Sequence, residues 1–273
     1  MPADRYTHGH HEAVLRSHRW RSAENSAAYL LAHLRSGQRL LDVGCGPGTL
    51  TADLAALIAP GEAVAIDRSE AVLAEARREL ERRGLTNVHT ETGDVYALRF
   101  DAGEFDVVHA HQVLQHLSDP VAALGEMARV TVDGGWVAVR ESDYPGMHWY
   151  PQDPQLERWL ELYLAVCRAN RAEPAAGRHL LAWANQAGLG EVEVTASTWC
   201  FADPDQRAWW GGLWAERVEH SALAEQALEG GHATADELAE IAAAWRRWAA
   251  SADGYFVVPH GELLARVRRP VSG

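Results

Sequence analysis

Leu40-Leu41-Asp42-Val43-Gly44-Cys45-Gly46-Pro47-Gly48-Thr49-Leu50 decides the fold of this chain. A short apolar run carries one acid, three glycines alternate with other residues, and a helical pattern begins at once. That order reads as a buried strand, a tight turn and a helix start, the entrance to a nucleotide-type site in an open α/β sheet. Glycine suits the turn because the backbone must bend sharply and approach a ligand with no Cβ in the way. A dinucleotide fingerprint, G-x-G-x-x-G, would put its third glycine at position 49, where the chain has Thr49. Here the glycines fall at 44, 46 and 48, giving G-x-G-x-G.

Outward from this stretch, strand and helix patterns alternate. Ala27, Leu30, Leu31 and Leu34 follow i, i+3, i+4, i+7 spacing and predict a helix over 22–34. The first strand is expected at 39–43 and its helix at 49–58. Ala63 to Asp67 reads as a buried second strand ending in an acid, about 20 residues past the glycines, where a carboxylate can accept both hydroxyls of a ribose. Ser69 caps a helix over 70–83, which Gly84 stops. Val88 to Thr92 is a third strand with Gly93-Asp94-Val95 as its exit, and residues 104–110 form a fourth that runs into His111 to Leu117. Asp119-Pro120 opens the next helix, Asp133-Gly134-Gly135 turns the chain, and Trp136 to Glu141 is a fifth strand. This alternation predicts a parallel, doubly wound sheet.

The stretch Leu-Leu-Asp-Val-Gly-Cys-Gly-Pro-Gly resembles the first motif of class I S-adenosylmethionine-dependent methyltransferases. Gly93-Asp94, Phe105-Asp106-Val107-Val108 and the Val113 to Leu117 turn extend the resemblance over residues 38–141. It is strongest toward the ubiquinone/menaquinone C-methyltransferase-like group, methyltransferase type 11. The resemblance implies an α/β, mostly parallel, seven-stranded Rossmann-like sheet whose last two strands form an antiparallel edge pair. An insertion between them, about 203–254 here, would form a helical cap. It implies S-adenosyl-L-methionine as cofactor, held by Asp42, Gly44, Cys45, Gly46, Gly48 and Thr49 of the loop, by Asp67 and Arg68, by Gly93, Asp94 and Val95, and by Ala110 and His111.

Residues 1–37 would then be an N-terminal arm and helix covering the cofactor, residues 38–141 the cofactor-binding core, and residues 142–273 the rest of the sheet with its cap. The arm holds Tyr6, His8, His10, His11 and His18 among few apolar positions. A His-rich tract can bind metal, but no matching acidic or cysteine ligands lie beside it, so no metal site is assigned. The expectation is an arm that closes over the cofactor, with Tyr6 and His11 as contacts.

Past residue 141 the exit from the fifth strand, Ser142 to Tyr150, is aromatic and reads as irregular. Helices are expected from Asp153-Pro154 and over 177–187, then a strand at 192–196, helices after Asp203-Pro204 and after Thr234, and a final strand over 262–268. Six of the eleven tryptophans fall between Trp199 and Trp248. Most should pack the cap helices; Tyr144, Trp149, Trp210 and Trp214 are the candidates to face a pocket for a flat apolar substrate.

Composition bounds the alternatives. The 273-residue chain carries a formal charge of −13, which disfavours nucleic acid because no basic face exists to displace counterions. No apolar run nears the ~18–20 residues of a membrane span, and the first residues lack the apolar core of a signal peptide, so a cytoplasmic protein is expected. All 25 basic residues are arginine, which removes lysine Schiff-base and P-loop chemistry. The alanine- and arginine-rich composition resembles that of a GC-rich bacterial genome. Cys45, Cys167 and Cys200 form no C-x-x-C pair.

Methyl transfer from a sulfonium is an in-line displacement, so alignment is most of what a protein must supply. A base is needed only if the acceptor loses a proton, and His111 and His116 bracket the turn where one would act. Glu141 to Tyr144 leave the sheet at the same edge. The leading reading is a methyltransferase for a small aromatic or apolar molecule, quinone-like or a secondary metabolite, as monomer or homodimer. The alternatives are a non-methylating S-adenosylmethionine-binding protein of the same fold and an NAD-dependent oxidoreductase, the latter opposed by Thr49 and the lack of lysine.

Overall fold

The computed structural model describes residues 4, 6–9 and 11–269. Helix α1 (Glu12–Arg19) precedes two single turns, α2 (Ala23–Ser26) and α3 (Ala28–Leu31). Strands β1 (Leu40–Val43), β2 (Ala63–Asp67), β3 (Val88–Thr92) and β4 (Phe105–His111) then alternate with helices α4 (Thr49–Ile58) and α5 (Glu70–Arg82). After α6 (Pro120–Val130) come β5 (Thr131–Ser142), the short β6 (His148–Tyr150), α7 (Pro154–Ala169) and α8 (Ala176–Gln186). The chain ends in β7 (Val192–Phe201), three helices α9 (Pro204–His220), α10 (Ala222–Glu229) and α11 (Ala235–Ala250), and β8 (Tyr255–Arg266).

The sheet runs β3-β2-β1-β4-β5-β8, with β6 and β7 also paired to β8. β1 lies parallel between β2 and β4, with Leu41 opposite Val64 on one side and Val108 on the other. All four β1 residues are buried, as a strand covered on both faces requires. β8 runs antiparallel to β5 and β7, Leu263 facing both Val139 and Val194. The expected antiparallel edge pair is therefore present, and three helices separate its strands.

Three expectations are corrected. The sheet has eight strands, not seven, because Trp149 pairs with Phe256 and makes β6 from the segment read as irregular. Three residues paired over such a distance are too few to show a periodicity. The helix expected over 22–34 breaks at Ala27, where φ is −140°. There Trp199 Nε1 donates to the Asn25 carbonyl at 2.7 Å, and the Ala23 N–H is taken by Asp53 at 2.8 Å. A tertiary partner thus takes the Asn25 carbonyl from the helical ladder, while Asp53 meets a first-turn N–H that has no ladder partner. β5 starts at Thr131, before the expected turn, which is absorbed as an irregularity of register opposite Phe105 and Val107.

The cap helices close on an aromatic core. Trp159, Trp214 and Trp245 are fully enclosed; Trp159 meets Trp214 edge to face at 4.7 Å and Trp245 at 4.9 Å. Such pairs contribute about 0.5–1.5 kcal/mol each beyond their burial. Among the described residues no helix is long and apolar enough to cross a membrane.

Candidate active site at the carboxyl edge of the sheet

The glycine loop takes the conformation its sequence requires. Gly44, Gly46 and Gly48 have φ of 70°, 56° and 80°, a region that side chains disfavour. A Cβ on Gly44 would sit 2.5 Å from Val113 Cγ2, and one on Gly48 would sit 2.9 Å from Ala76 Cβ. Those two glycines permit close packing. A Cβ on Gly46 would meet only His18 Nδ1, at 3.8 Å, so this glycine keeps a cavity open.

That cavity has a volume of about 350 Å³, within the range of small-molecule sites. Asp42, Gly44, Cys45, Gly46 and Thr49 line it from the loop, and Asp67 and Arg68 from the end of β2. Gly93, Val95 and His111 line it from the next strand ends, and Tyr6 from the N-terminal segment. The other candidates lie apart. Ala110 is buried within β4, and Asp94 accepts the Tyr96 N–H at 3.0 Å. His11 caps α1 through the Ala13 N–H at 3.2 Å, with Glu216 at 3.9 Å. His10 is outside the described residues.

The two carboxylates of the first strands have separate duties. Asp42 is 3% exposed; it holds His109 Nδ1 at 2.8 Å and accepts the Thr51 hydroxyl, so its charge serves the frame. Asp67 accepts N–H groups from Gly46 at 3.2 Å and Ser69 at 2.9 Å. One lone-pair site remains on each of its oxygens, and the residue lines the cavity.

Both candidate bases are neutral. Burial first, then the charges of Arg21 and Arg140, holds His111 well below the ordinary imidazole range, and its two ring nitrogens are buried without partners. His116 is pushed down to about 3 by burial and Arg21. Its ring meets Tyr6 edge-on at 4.7 Å. Glu141 pins the turn between them, accepting N–H groups from Val113 at 2.9 Å, Leu114 at 2.7 Å and Gln115 at 3.3 Å. Burial pushes its carboxyl up to about 8 against those three bonds.

Sequence reasoning missed Arg21 and Gln112, and placed His18 only in a general tract. Arg21 donates to Gln112 Oε1, and Gln112 has a left-handed φ of 55°, a strain tolerated where a side chain must be aimed. The Gln112 amide then donates to His260 Nε2 at 3.0 Å. Tyr6, His18, Arg21, Gln112 and His116 also border a second, inner recess of about 20 Å³. Of the four substrate candidates, Tyr144 and Trp210 line that recess, as does Trp199. Trp149 and Trp214 do not: Trp149 stacks on Phe256 at 5.7 Å and Trp214 on Trp245 at 5.8 Å, inside the cap core.

Comparison with known proteins agrees with this architecture. Residues 34–189 match the model of a family described as a methyltransferase domain. The chain is 35% identical over 268 residues to an uncharacterized methyltransferase of Schizosaccharomyces pombe, covering 95% of each. It is 34% identical over 118 residues to the demethylmenaquinone methyltransferase of Lactococcus lactis, 43% of this chain and 47% of that one. The YcgJ protein of Bacillus subtilis superposes with a TM-score of 0.59 at 18% identity, over 89% of this chain and 98% of that one, which is a likeness of fold. The chain thus belongs to the methyltransferase-domain family and is an S-adenosylmethionine-dependent methyltransferase.

Proposed function

We propose that the 350 Å³ cavity holds S-adenosylmethionine and that the inner recess presents a small-molecule methyl acceptor to it. The observation that carries this is the pairing of an open cradle at Gly46 with the spare acceptor sites of Asp67. Asp67 would take the ribose hydroxyls, Gly93 and Val95 the adenine side, and the loop backbone together with Arg21 the amino-acid end. The bound cofactor supplies an electrophilic methyl group on a sulfonium. This chain's residues do the rest by holding and aligning. His18 and Tyr6 close the cavity from the N-terminal side, the Tyr6 hydroxyl lying 3.5 Å from His18 Nε2. His111, kept neutral and with both ring nitrogens free of partners, is the group able to accept a proton at the turn, whereas the Nε2 of His116 is taken by the Gln115 amide. Tyr144, Trp199 and Trp210 give the acceptor an aromatic wall, which favours a small aromatic body, quinone-like or a secondary metabolite.

Calorimetry with S-adenosylhomocysteine tests this reading. Asp67→Ala should weaken binding by roughly 1–3 kcal/mol through loss of charge-assisted hydrogen bonds. Unchanged affinity in that variant would remove Asp67 from the site.

A further inference from the structure

The feature that cofactor binding leaves unexplained is positive charge without a partner. Arg217 of α9 is 4% exposed, and among the described residues no carboxylate pairs with it. Its Nε and Nη2 are spent on the carbonyls of Ala13 and Val14 and on the Ser17 hydroxyl, and its Cζ lies 4.9 Å from the Trp214 ring centre. Nη1 takes no part in those bonds, and the side chain lines the inner recess. Arg21 borders the same recess, with Nε buried and unpartnered. Among the described residues, no acidic one lines it. Glu141 does feel Arg21, but its oxygens are engaged by the N–H groups of residues 113–115.

The neutral groups lean the same way. Gln115 Oε1 accepts the Ser142 hydroxyl at 2.7 Å, which turns its amide N–H toward His116 Nε2 at 3.0 Å. An accepting Nε2 fixes the proton of the neutral ring on Nδ1, and that donor is buried with no acceptor. Buried cations and donors left unpaired are costly, so such a cluster is retained for a ligand that completes it. The cofactor alone does not. It carries one carboxylate against an ammonium and a sulfonium, and Arg21 is the group assigned to that carboxylate. Its binding adds net positive charge to the cavity that shares Arg21 with the recess.

We propose that the methyl acceptor is a small carboxylic acid whose carboxylate is bound in the inner recess by Arg217 and the donors around it. A space of about 20 Å³ admits a group of carboxylate size, and Tyr144, Trp199 and Trp210 border it. Nη1, the nitrogen those bonds leave over, can donate a charge-assisted hydrogen bond to the carboxylate. This rests on the methyltransferase reading of the larger cavity.

The test uses the full chain saturated with S-adenosylhomocysteine. Benzoate, salicylate and indole-3-acetate are each titrated beside their neutral primary amides. At least one carboxylate should bind about tenfold tighter than its amide or better, and Arg217→Gln should abolish that preference while S-adenosylhomocysteine affinity stays within about threefold. No carboxylate preferred over its amide would overturn the proposal, as would a preference that survives Arg217→Gln. The wild-type panel decides by itself should that variant loosen α1. Failure of S-adenosylhomocysteine to bind the wild type would overturn the reading of the larger cavity, and this proposal with it.

Discussion

Asp42 and Asp67 stand at the ends of neighbouring strands, and the sequence assigned both to the cofactor. Their surroundings separate them. Both border the cavity, but Asp42 is engaged by the His109 and Thr51 side chains, whereas Asp67 accepts only two backbone N–H groups and keeps spare acceptor sites. Asp42→Ala would orphan a buried imidazole N–H and a buried hydroxyl, at a cost of about 2–4 kcal/mol. Urea unfolding should show a lower midpoint with an unchanged slope. A loss well below that range would mean the pair is ornamental. The glycines were legible because their demand is local: a strand, a turn and a helix start are written in consecutive residues. Arg21 and Gln112 were not, because their meeting depends on a pairing 91 residues apart in the chain. That Trp149 and Trp214 lie in the aromatic core and not on the recess was not legible for a related reason. Helical or strand spacing shows that a face is buried, not what it is buried against.

Among the elements, α1 connects cofactor site and cap. Ala13, Val14 and Leu15 are buried in it, Arg217 holds its first turn from α9, and His18 near its end faces the Gly46 cradle. The expectation of an arm that closes over the cofactor therefore becomes a proposal about this helix and Tyr6. Hydrogen exchange across residues 12–19 should slow when S-adenosylhomocysteine binds, as ligand contacts suppress local opening. Equal exchange in the free and bound protein would reduce α1 to a static strut. Its existence was hidden in the sequence by a His- and Arg-rich composition, whose apolar stripe is only Ala13, Val14 and Leu15 wide.

At the scale of the whole molecule, an acidic exterior of net charge −13 encloses an interior crowded with neutral imidazoles. His8, His18, His111, His116 and His260 are all held below the ordinary imidazole range, burial being the first cause for each. In the unfolded chain they take up protons near pH 6.5; in the folded protein His116 does so only at about 3. The stability they confer is therefore present above pH 6.5 and is lost as pH falls below it. Each such group subtracts roughly 1.4 kcal/mol per pH unit. Glu141, raised to about 8, acts in the opposite sense but is one group against five. Melting temperature should fall steeply from pH 7 to pH 5, and a flat profile would show that these rings are charged in the fold. The central claim concerns the cavity itself, and the crystal structure of the S-adenosylhomocysteine complex tests it most directly. The account predicts ribose hydroxyls within hydrogen-bond reach of Asp67 and the ligand carboxylate on Arg21. A ligand bound with its ribose away from Asp67, or outside the glycine cradle, would contradict it.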